Sequence, residues 1–363
     1  MSAPQPKKRV LYVLWTYPQL SQTYIQNEIE ALNRDYDVHV VALSKPNTRA
    51  ATDQSYTLAK RFKPLMAEIR AFRPDVLHSH WLNMAPVLHR LSRAADVPYT
   101  LRAHSFDVLG RGRDSMGRFG VGNPLERWVN YAKAKPTFKG YRPAHVVRYV
   151  NAPPCLGVLV FPHFRELLEG EGMTPEKLHD CFPVIDFRRF HDTGPNGEGV
   201  MNVGACIPKK RMEDFVDLGA AVAWRPFTLY AIGYKTADLA AYNDSRGGPI
   251  AIVENTPARD MPAQYKRHQW LVYTASRDFN SVGWPMAVAE AQAAGVGVCV
   301  PAIRPDLQTY LGGAGYAYER IEEVAEIVSG EVPAEMRERG FEQARRSDVY
   351  SHKRLLEDLW AGA

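Results

Sequence analysis

The sequence predicts an α/β protein made of two doubly wound domains, each with a parallel sheet. The chain has 363 residues, which is long for a single core and suggests two domains. Short apolar runs alternate with helical patterns, as they do in parallel sheets whose strands are joined by helices. A stretch rich in Gly and Pro, HDTGPNGEG at 191–199, separates two such series and is the clearest linker.

The first series begins with RVLYVLW at 9–15, an apolar run with the length of a buried strand. The next segment, SQTYIQNEIEAL at 21–32, predicts a helix with Ile25, Ile29 and Leu32 on one face, and Thr23 with Gln26 fits a capping box. Further strands are predicted at 36–43, 75–80, 98–105 and 155–161. We therefore expect a Rossmann-like first domain over residues 1–190.

The second series repeats the pattern after the linker, and we expect the second domain over 191–345. Strands are predicted at 200–204, 228–233, 270–276 and 296–300, with a helix packing Phe215, Leu218 and Val222 between the first two. Pro285 suits the first turn of a helix and Gly295 its C-terminal stop. Glu290 is therefore expected in the middle of that helix.

Composition and charge narrow the class of protein. With 45% hydrophobic and 23% charged residues the chain is an ordinary globular protein. Its four cysteines form no C-x-x-C pair, which favours reduced thiols in the cytoplasm over disulfides or a zinc site. No run has the roughly 18 apolar residues of a membrane span. Both serine hydrolases and P-loop kinases are disfavoured, because G-x-S-x-G and the P-loop motif do not occur.

Positive charge is concentrated between residues 110 and 148. That segment holds nine Lys or Arg residues and two acids, while the whole chain has a formal net charge of +5. One interpretation is peripheral contact with an anionic surface, such as the inner face of a membrane, or with an anionic acceptor; the other is a solvated loop. Nucleic-acid binding is disfavoured, because no RRM, KH or zinc-finger pattern accompanies the charge.

Glu290 is a carboxylate in the Ala-rich stretch SVGWPMAVAEAQAAGVGVC. A charge there is costly unless it faces a cleft or has a partner. Ligands of open α/β sheets bind beyond the carboxyl ends of the strands, near helix N-termini. Two such domains that face each other predict a groove for a nucleotide and an acceptor, without naming the reaction.

Several stretches, in order and at the right spacing, resemble the GT-B glycosyltransferases of family 4, which are retaining enzymes with nucleotide-sugar donors. YPQLSQTYIQNEIEAL is similar to F-P-x-x-S-E-T-F-I-x-x-E-I-x-x-L, DVLHSHW to D-x-x-H-x-H, and TLRAHSFDV to T-x-H-x-x-D. PEKLHDCFPVIDFRRF, NVGACIPKKRMEDF and the stretch around Glu290 resemble three later motifs, the last being E-G-F-P-x-x-x-x-E-A. The first of these stretches is most similar to members that act on bacterial polysaccharides.

The resemblance implies sugar transfer from a nucleotide-sugar donor to a polysaccharide, lipid-linked or small-molecule acceptor, with no metal or cofactor. It implies that Glu290 binds the donor ribose, that Lys210 stabilises the departing diphosphate with Lys209 and Arg211 beside it, and that His104 lies near the anomeric carbon. It also implies that residues 346–363 form a helix that crosses back to the first domain. The other implied site residues are Asp107 for an acceptor hydroxyl, Ser21 and Thr23 on the acceptor side or capping the helix, and Gly204, Ser281, Gly283, Pro285 and Met286 at the donor.

Two positions depart from the family pattern. Val282 stands where the family has the first Glu of its motif, and Ala205 where it has an Arg. Asp278, Asn280 and Ser281 are the nearest polar substitutes for the Glu, or belong to an ordinary polar loop; Arg304 is either a cation of the cleft or a surface charge. The departures keep open a GT-B-like binding or scaffold protein without turnover. An epimerase or a phosphorylase rests on fold analogy alone.

His78 and His80 have H-x-H spacing, which places both on one face of a strand. A metal pair is one interpretation. Because the sequence shows no third ligand nearby, we favour hydrogen-bonded histidines at a strand end.

Overall fold

The computed structural model describes residues 7–45, 52–109, 141–233, 235–277 and 282–362. They form two compact units, each built around one parallel sheet. The first unit holds the described residues up to 109, residues 141–184 and the last helix of the chain, and the second unit holds the described residues between 185 and 348. The predicted fold class of two parallel-sheet α/β domains is confirmed.

The first unit contains seven parallel strands in the order β3-β2-β1-β4-β5-β6-β7. Their bounds are β1 Arg9–Thr16, β2 Asp37–Ser44, β3 Tyr56–Leu58, β4 Val76–His80, β5 Tyr99–Arg102, β6 Cys155–Val160 and β7 Leu178–Asp180. The register pairs His78 with Thr100 and His80 with Arg102 across β4 and β5. Polar side chains of neighbouring central strands are thereby brought side by side.

Helices cover this sheet, and the first of them brings a charge into the core. They are α1 Thr23–Leu32, α2 Phe62–Phe72, α3 Ala85–Ala95, α4 Val147–Val150 and α5 Pro162–Gly170. The buried face of α1 contains the predicted Ile25, Ile29 and Leu32, and also Glu28. The predicted capping box is wrong: Gln22 precedes the helix, and no side chain caps its N-terminus.

The second unit contains six parallel strands in the order β10-β9-β8-β11-β12-β13. Their bounds are β8 Gly199–Gly204, β9 Phe227–Ala231, β10 Ala251–Glu254, β11 His268–Val272, β12 Gly297–Pro301 and β13 Tyr316–Tyr318. The helices are α6 Phe187–Phe190, α7 Met212–Ala221, α8 Thr236–Ser245, α9 Met261–Lys266, α10 Met286–Ala293, α11 Asp306–Leu311, α12 Val324–Ser329 and α13 Ala334–Arg345. Its core includes Val200, Phe215, Leu229 and Trp270.

The last helix, α14 Val349–Trp360, packs against α1 in the first unit. Trp360 is 1% exposed, with its ring 5.6 Å from that of Tyr36, and Lys353 forms an ion pair with Asp35. The buried Trp360 indole makes α14 part of the core of this unit. Within the described part of the chain, no helix combines the length and apolarity needed to cross a bilayer. Most of the basic segment at 110–148 lies outside the described residues, which include only 141–148 of it.

Candidate functional site

A half-buried lysine lies at the carboxyl edge of the second sheet. Lys210 follows β8, and its ammonium donates to the phenol of Tyr273, which follows β11. The Lys210 nitrogen also lies 4.1 Å from the centroid of the Tyr273 ring. Burial lowers the pKa of Lys210 to about 7. An anionic ligand at this edge would restore the charge of the ammonium and bind to it.

Gly204, the last residue of β8, gives this lysine room. A Cβ at position 204 would lie 3.0 Å from Cε of Met212 and 4.0 Å from Cε of Lys210. The glycine therefore permits the close packing of strand end, lysine and α7.

Glu290 lies in the middle of α10, as predicted. Its Oε2 accepts a 2.7 Å hydrogen bond from the phenol of Tyr265 at the end of α9, and its Oε1 accepts none from any described residue. Burial raises the pKa of Glu290 to about 7, and the Tyr265 hydrogen bond and the charge of Arg189 partly oppose this. Ionised Glu290 thus retains an acceptor oxygen that no described residue uses.

Tyr310 in α11 contacts the segment that leads into α10. Its hydroxyl donates to the carbonyl of Pro285 at 2.8 Å. Burial raises the pKa of Tyr310 strongly, and the charge of Glu290 adds to this. Tyr310 therefore anchors the residue that precedes α10.

The segment before α10 is held by a polar clamp. The Arg304 guanidinium donates to the carbonyl of Val282 and is paired with Asp306, with Nε 2.8 Å from Oδ1. Asp306 also accepts from the indole of Trp284 at 2.7 Å, and the Trp284 ring stacks on Tyr310. Arg304 is thus not a surface charge: its side chain is 16% exposed, pairs with Asp306 and donates to the backbone of Val282.

The remaining residues predicted at the donor occupy varied positions. Arg211 is about half exposed and pairs with Asp214 at the start of α7, with Nη2 2.6 Å from Oδ1. The Lys209 carbonyl accepts from the amide of Ser276. Gly283 and Met286 are half-buried beside Pro285, the residue before α10. Ser281, with Asp278 and Asn280, lies outside the described residues.

Val282 and Ala205 have the burial expected of their apolar side chains. Val282 is 3% exposed. Ala205 is half-buried, and its carbonyl accepts from the amide of Ile207. Neither position carries a side chain that can bind a donor.

His104 lies just beyond β5 in the first unit and is half-buried. Its Nε2 is 2.9 Å from Nδ1 of His80, and its ring lies 4.7 Å from that of Tyr24 and 5.3 Å from that of Trp81. Burial lowers the pKa of His104 well below its usual 6.5, with smaller contributions from neighbouring charges. The ring is therefore neutral at pH 7.

Asp107 holds the turn that carries His104. It is fully buried, and its carboxylate accepts from the backbone amides of Leu82 (2.8 Å), His104 (3.1 Å) and Ser105 (2.9 Å). Burial raises its pKa to about 6, and the backbone hydrogen bonds partly oppose this. With its carboxylate directed at the backbone, Asp107 is placed to position His104 and does not present an oxygen to an acceptor hydroxyl as the resemblance implies.

Behind His104 lies a buried polar cluster centred on Glu28, which the sequence analysis did not single out. Oε2 of Glu28 accepts from the guanidinium of Arg102 at 2.6 and 3.1 Å. Its Oε1 accepts from Tyr12 at 2.8 Å and lies 3.2 Å from Nε2 of His80 and 3.4 Å from Nε2 of His78. Burial alone would raise the pKa of Glu28, but Arg102 and the histidines hold it well below 4.5.

This cluster supplies the third ligand type that the sequence did not show beside His78 and His80. The ligand atoms of Glu28, His78 and His80 lie within 4.8 Å of one another. A guanidinium 2.6 Å from the same carboxylate nevertheless opposes a second cation there. The donor set fits a hydrogen-bond network better than a metal centre.

The two residues predicted on the acceptor side lie at the start of α1. Ser21 is exposed, two residues before the helix, and Thr23 is half-buried as its first residue. Neither caps α1 through its side chain.

Several residues of these sites were not predicted from the sequence, among them Glu28, Tyr265 and Tyr273. Glu28 carried a usable signal, because it lies between Ile25 and Ile29 on the apolar face of α1. The two tyrosines carried none, since a tyrosine after a strand or in a short helix is ordinary.

Comparison with known proteins supports the fold and little beyond it. No family model matches the sequence, and no curated protein matches it either. Solved structures do match: HepE from Anabaena in complex with UDP and glucose has a TM-score of 0.72 and 13% identity, over 97% of this chain and 99% of HepE. Sucrose-phosphate synthase from Thermosynechococcus elongatus has a TM-score of 0.69 and 11% identity, over 98% of this chain and 100% of that protein. The lipopolysaccharide outer core galactosyltransferase WaaB has a TM-score of 0.59 and 12% identity, over 98% of this chain and 100% of WaaB. The chain therefore has the GT-B fold that the sequence resemblance implied.

Proposed function

We propose that this chain is a glycosyltransferase that moves a sugar from a nucleotide-sugar donor to a hydroxyl acceptor, with retention of configuration, as in the family 4 enzymes its motifs resemble. The second unit holds the groups suited to the donor, Glu290 and Lys210. The fold supports this proposal, because it is shared with HepE, which binds UDP, and with a galactosyltransferase.

The observation that carries the proposal is the acceptor oxygen Oε1 of Glu290, which no described residue uses. A carboxylate in the middle of a helix that has only one hydrogen-bond donor is costly unless a ligand supplies more. Two vicinal ribose hydroxyls are such donors, and hydrogen bonds to an ionised acceptor contribute about 1.5–3 kcal/mol each. Lys210, at the carboxyl edge of the sheet of the same unit, is suited to the diphosphate.

In the proposed reaction the acceptor oxygen forms a bond to the anomeric carbon while the bond from that carbon to the diphosphate oxygen breaks. The proton of the acceptor hydroxyl passes to a departing diphosphate oxygen, on the face that the leaving group vacates. Negative charge grows on the diphosphate, and the Lys210 ammonium stabilises it. The acceptor is a polysaccharide, a lipid-linked sugar or a small molecule in the cytoplasm.

Isothermal titration with UDP, GDP and UDP-glucose tests donor binding. We expect one diphosphate to bind, and Glu290→Gln to weaken binding by about 10- to 100-fold, because the amide offers a single acceptor oxygen and no charge. Glu254→Gln, at an exposed strand end of the same unit, is the matched control. The proposal fails if none of the three ligands binds and Glu290→Gln behaves as the control does.

A second function, nucleotide binding without turnover, is favoured by Val282 and Ala205. Both are apolar where the resembled family places donor contacts, and the charge of Arg304 is already paired with Asp306. Mass spectrometry of reactions with a panel of nucleotide sugars separates the two. Binding with neither transfer nor hydrolysis favours the second function, and release of UDP or GDP favours the first.

A further inference from the structure

A chain of hydrogen-bonding groups lies behind His104. From His104 it runs through His80 to Glu28, with 2.9 Å between the two rings and 3.2 Å from His80 to the carboxylate. His80 and Glu28 are fully buried, whereas His104 is half-buried at the outer end. The second ring nitrogen of His104, Nδ1, has no hydrogen-bond partner among the described residues. The chain therefore ends in an atom that is available to a ligand.

Glu28 fixes the direction in which these hydrogen bonds run. Ionised and held by Arg102, it only accepts, so Nε2 of His80 carries the proton. A neutral imidazole has one N–H, so Nδ1 of His80 is an acceptor and takes the proton of His104 Nε2. Nδ1 of His104 is then left unprotonated, with a lone pair.

A second branch of the cluster has the same polarity. The indole of Trp360 donates to Thr100 Oγ1 at 3.1 Å, and Thr100 lies 2.8 Å from Nδ1 of His78. The Thr100 hydroxyl keeps a proton that it can donate to Nδ1 of His78. With that polarity the His78 proton lies on Nε2, which is 3.4 Å from Glu28 and makes no hydrogen bond within the described residues. Both histidines present N–H groups to one carboxylate, and no donor faces a donor.

We propose that Glu28 is a positioning residue that sets the tautomer of His104, so that His104 offers the lone pair of Nδ1 to a hydroxyl group of the bound sugar or acceptor. The chemical class of the ligand group follows from the lone pair. A hydroxyl can donate to it, whereas a phosphate oxygen is repelled. His104 is accordingly a hydroxyl-binding group and not part of an anion site.

The cluster also predicts what reverses this arrangement. In Glu28→Gln the amide oxygen faces Arg102, which can only donate, so the NH2 group faces His80. The proton of His80 then moves to Nδ1, which donates to Nε2 of His104. The proton of His104 moves to Nδ1, and the residue offers a donor in place of an acceptor.

The tautomer of His104 can be measured without any ligand. We would record long-range ¹H–¹⁵N spectra of the full chain with ¹⁵N-labelled histidine at about pH 7.5, with His104 assigned from His104→Gln. The expected result is a neutral ring with its proton on Nε2 in the wild type and on Nδ1 in Glu28→Gln. Tyr12→Phe, which removes another donor to the same oxygen at 2.8 Å, should keep the proton on Nε2.

Three spectra would overturn the proposal: a wild-type His104 with its proton on Nδ1 or on both nitrogens, a Glu28→Gln protein that keeps the proton on Nε2, or a Tyr12→Phe protein that reverses it. If Glu28→Gln does not fold, His80→Phe replaces it, because removal of the acceptor Nδ1 should leave His104 as a mixture of tautomers. A single Nε2–H form in His80→Phe would likewise refute the role of the chain.

The kinetic half of the proposal rests on the proposed glycosyl transfer and is tested with UDP-glucose hydrolysis. Glu28→Gln should lower kcat by about 10- to 100-fold and leave UDP affinity within about twofold, since it exchanges one hydrogen bond near the reacting sugar. Unchanged kcat with a reversed tautomer would refute the hydroxyl assignment. Failure of the wild type to turn over any nucleotide sugar would refute the proposed function, while the spectra still decide the tautomer.

Discussion

Replacing Arg102 by Met should destabilise the first unit far more than the loss of a surface arginine. The guanidinium makes two hydrogen bonds of 2.6 and 3.1 Å to Glu28, and both side chains are at most 3% exposed. Removal of one member of a buried ion pair leaves the other charge uncompensated and costs about 3–5 kcal/mol. Since about 1.4 kcal/mol is a tenfold change, the opening equilibrium should rise by roughly 10²-fold to 4 × 10³-fold.

Native-state hydrogen exchange resolves this effect by unit. Protected amides of β4 and β5 should exchange faster by that factor, while those of β8 and β11 in the second unit serve as internal controls. Arg339→Met removes an exposed ion pair with Glu335, whose side chains are 51% and 76% exposed. It should change the free energy of opening by less than about 1 kcal/mol. If Arg102→Met and Arg339→Met change the amide exchange rates equally, Arg102 does not stabilise the buried carboxylate of Glu28.

The difference in stability between the wild type and Arg102→Met should depend on pH. The pKa of Glu28 in the folded protein is held well below 4.5, so its stabilising contribution is present above that pH and is lost as the pH falls further. In Arg102→Met the buried carboxyl group takes up a proton more readily. The stability difference between wild type and variant should therefore narrow as the pH falls through the pKa of this carboxyl group in the variant, which burial without Arg102 places above that of wild-type Glu28.

Two further predictions concern the second unit. UDP-glucose affinity, measured by titration across pH, should be greatest near pH 7, because Glu290 must lose its proton and Lys210 must keep one, and each has a pKa of about 7. Glu290→Gln should flatten the acid side of this pH profile, and Lys210→Met should flatten the alkaline side. A profile that neither variant changes contradicts the assignment. Arg304→Met should loosen the segment at Val282, so that its amides exchange faster. UDP-glucose binding should weaken by about 10-fold, the effect of one lost charged hydrogen bond. Amide exchange equal to that of the wild type would show that the clamp does not hold the segment.

The alternation of apolar runs and helical patterns was enough to predict both sheets. Buried parallel strands read as short continuous apolar runs, and their period differs from that of the helices between them. The position of Glu290 within its helix was predictable for a related reason, because Pro285 and Gly295 mark the ends of α10 in the sequence. In these cases the information is local.

The network around Glu28 could not be predicted from local patterns. Its members come from α1, three strands and the last helix, and the register of β4 with β5 brings them together. The one local sign was an acid on the apolar face of α1, the same sign that identified Glu290. The capping box failed because Thr23 is already the first residue of the helix, one position too late to cap it.

The position of Trp360 has a consequence for the way the chain folds as it is made. The indole that completes the buried cluster belongs to α14, which follows the entire second unit in the sequence. As the ribosome releases the N-terminal end first, β1 to β7 emerge well before their final packing partner. Thr100 therefore lacks its indole partner until α14 has been synthesised.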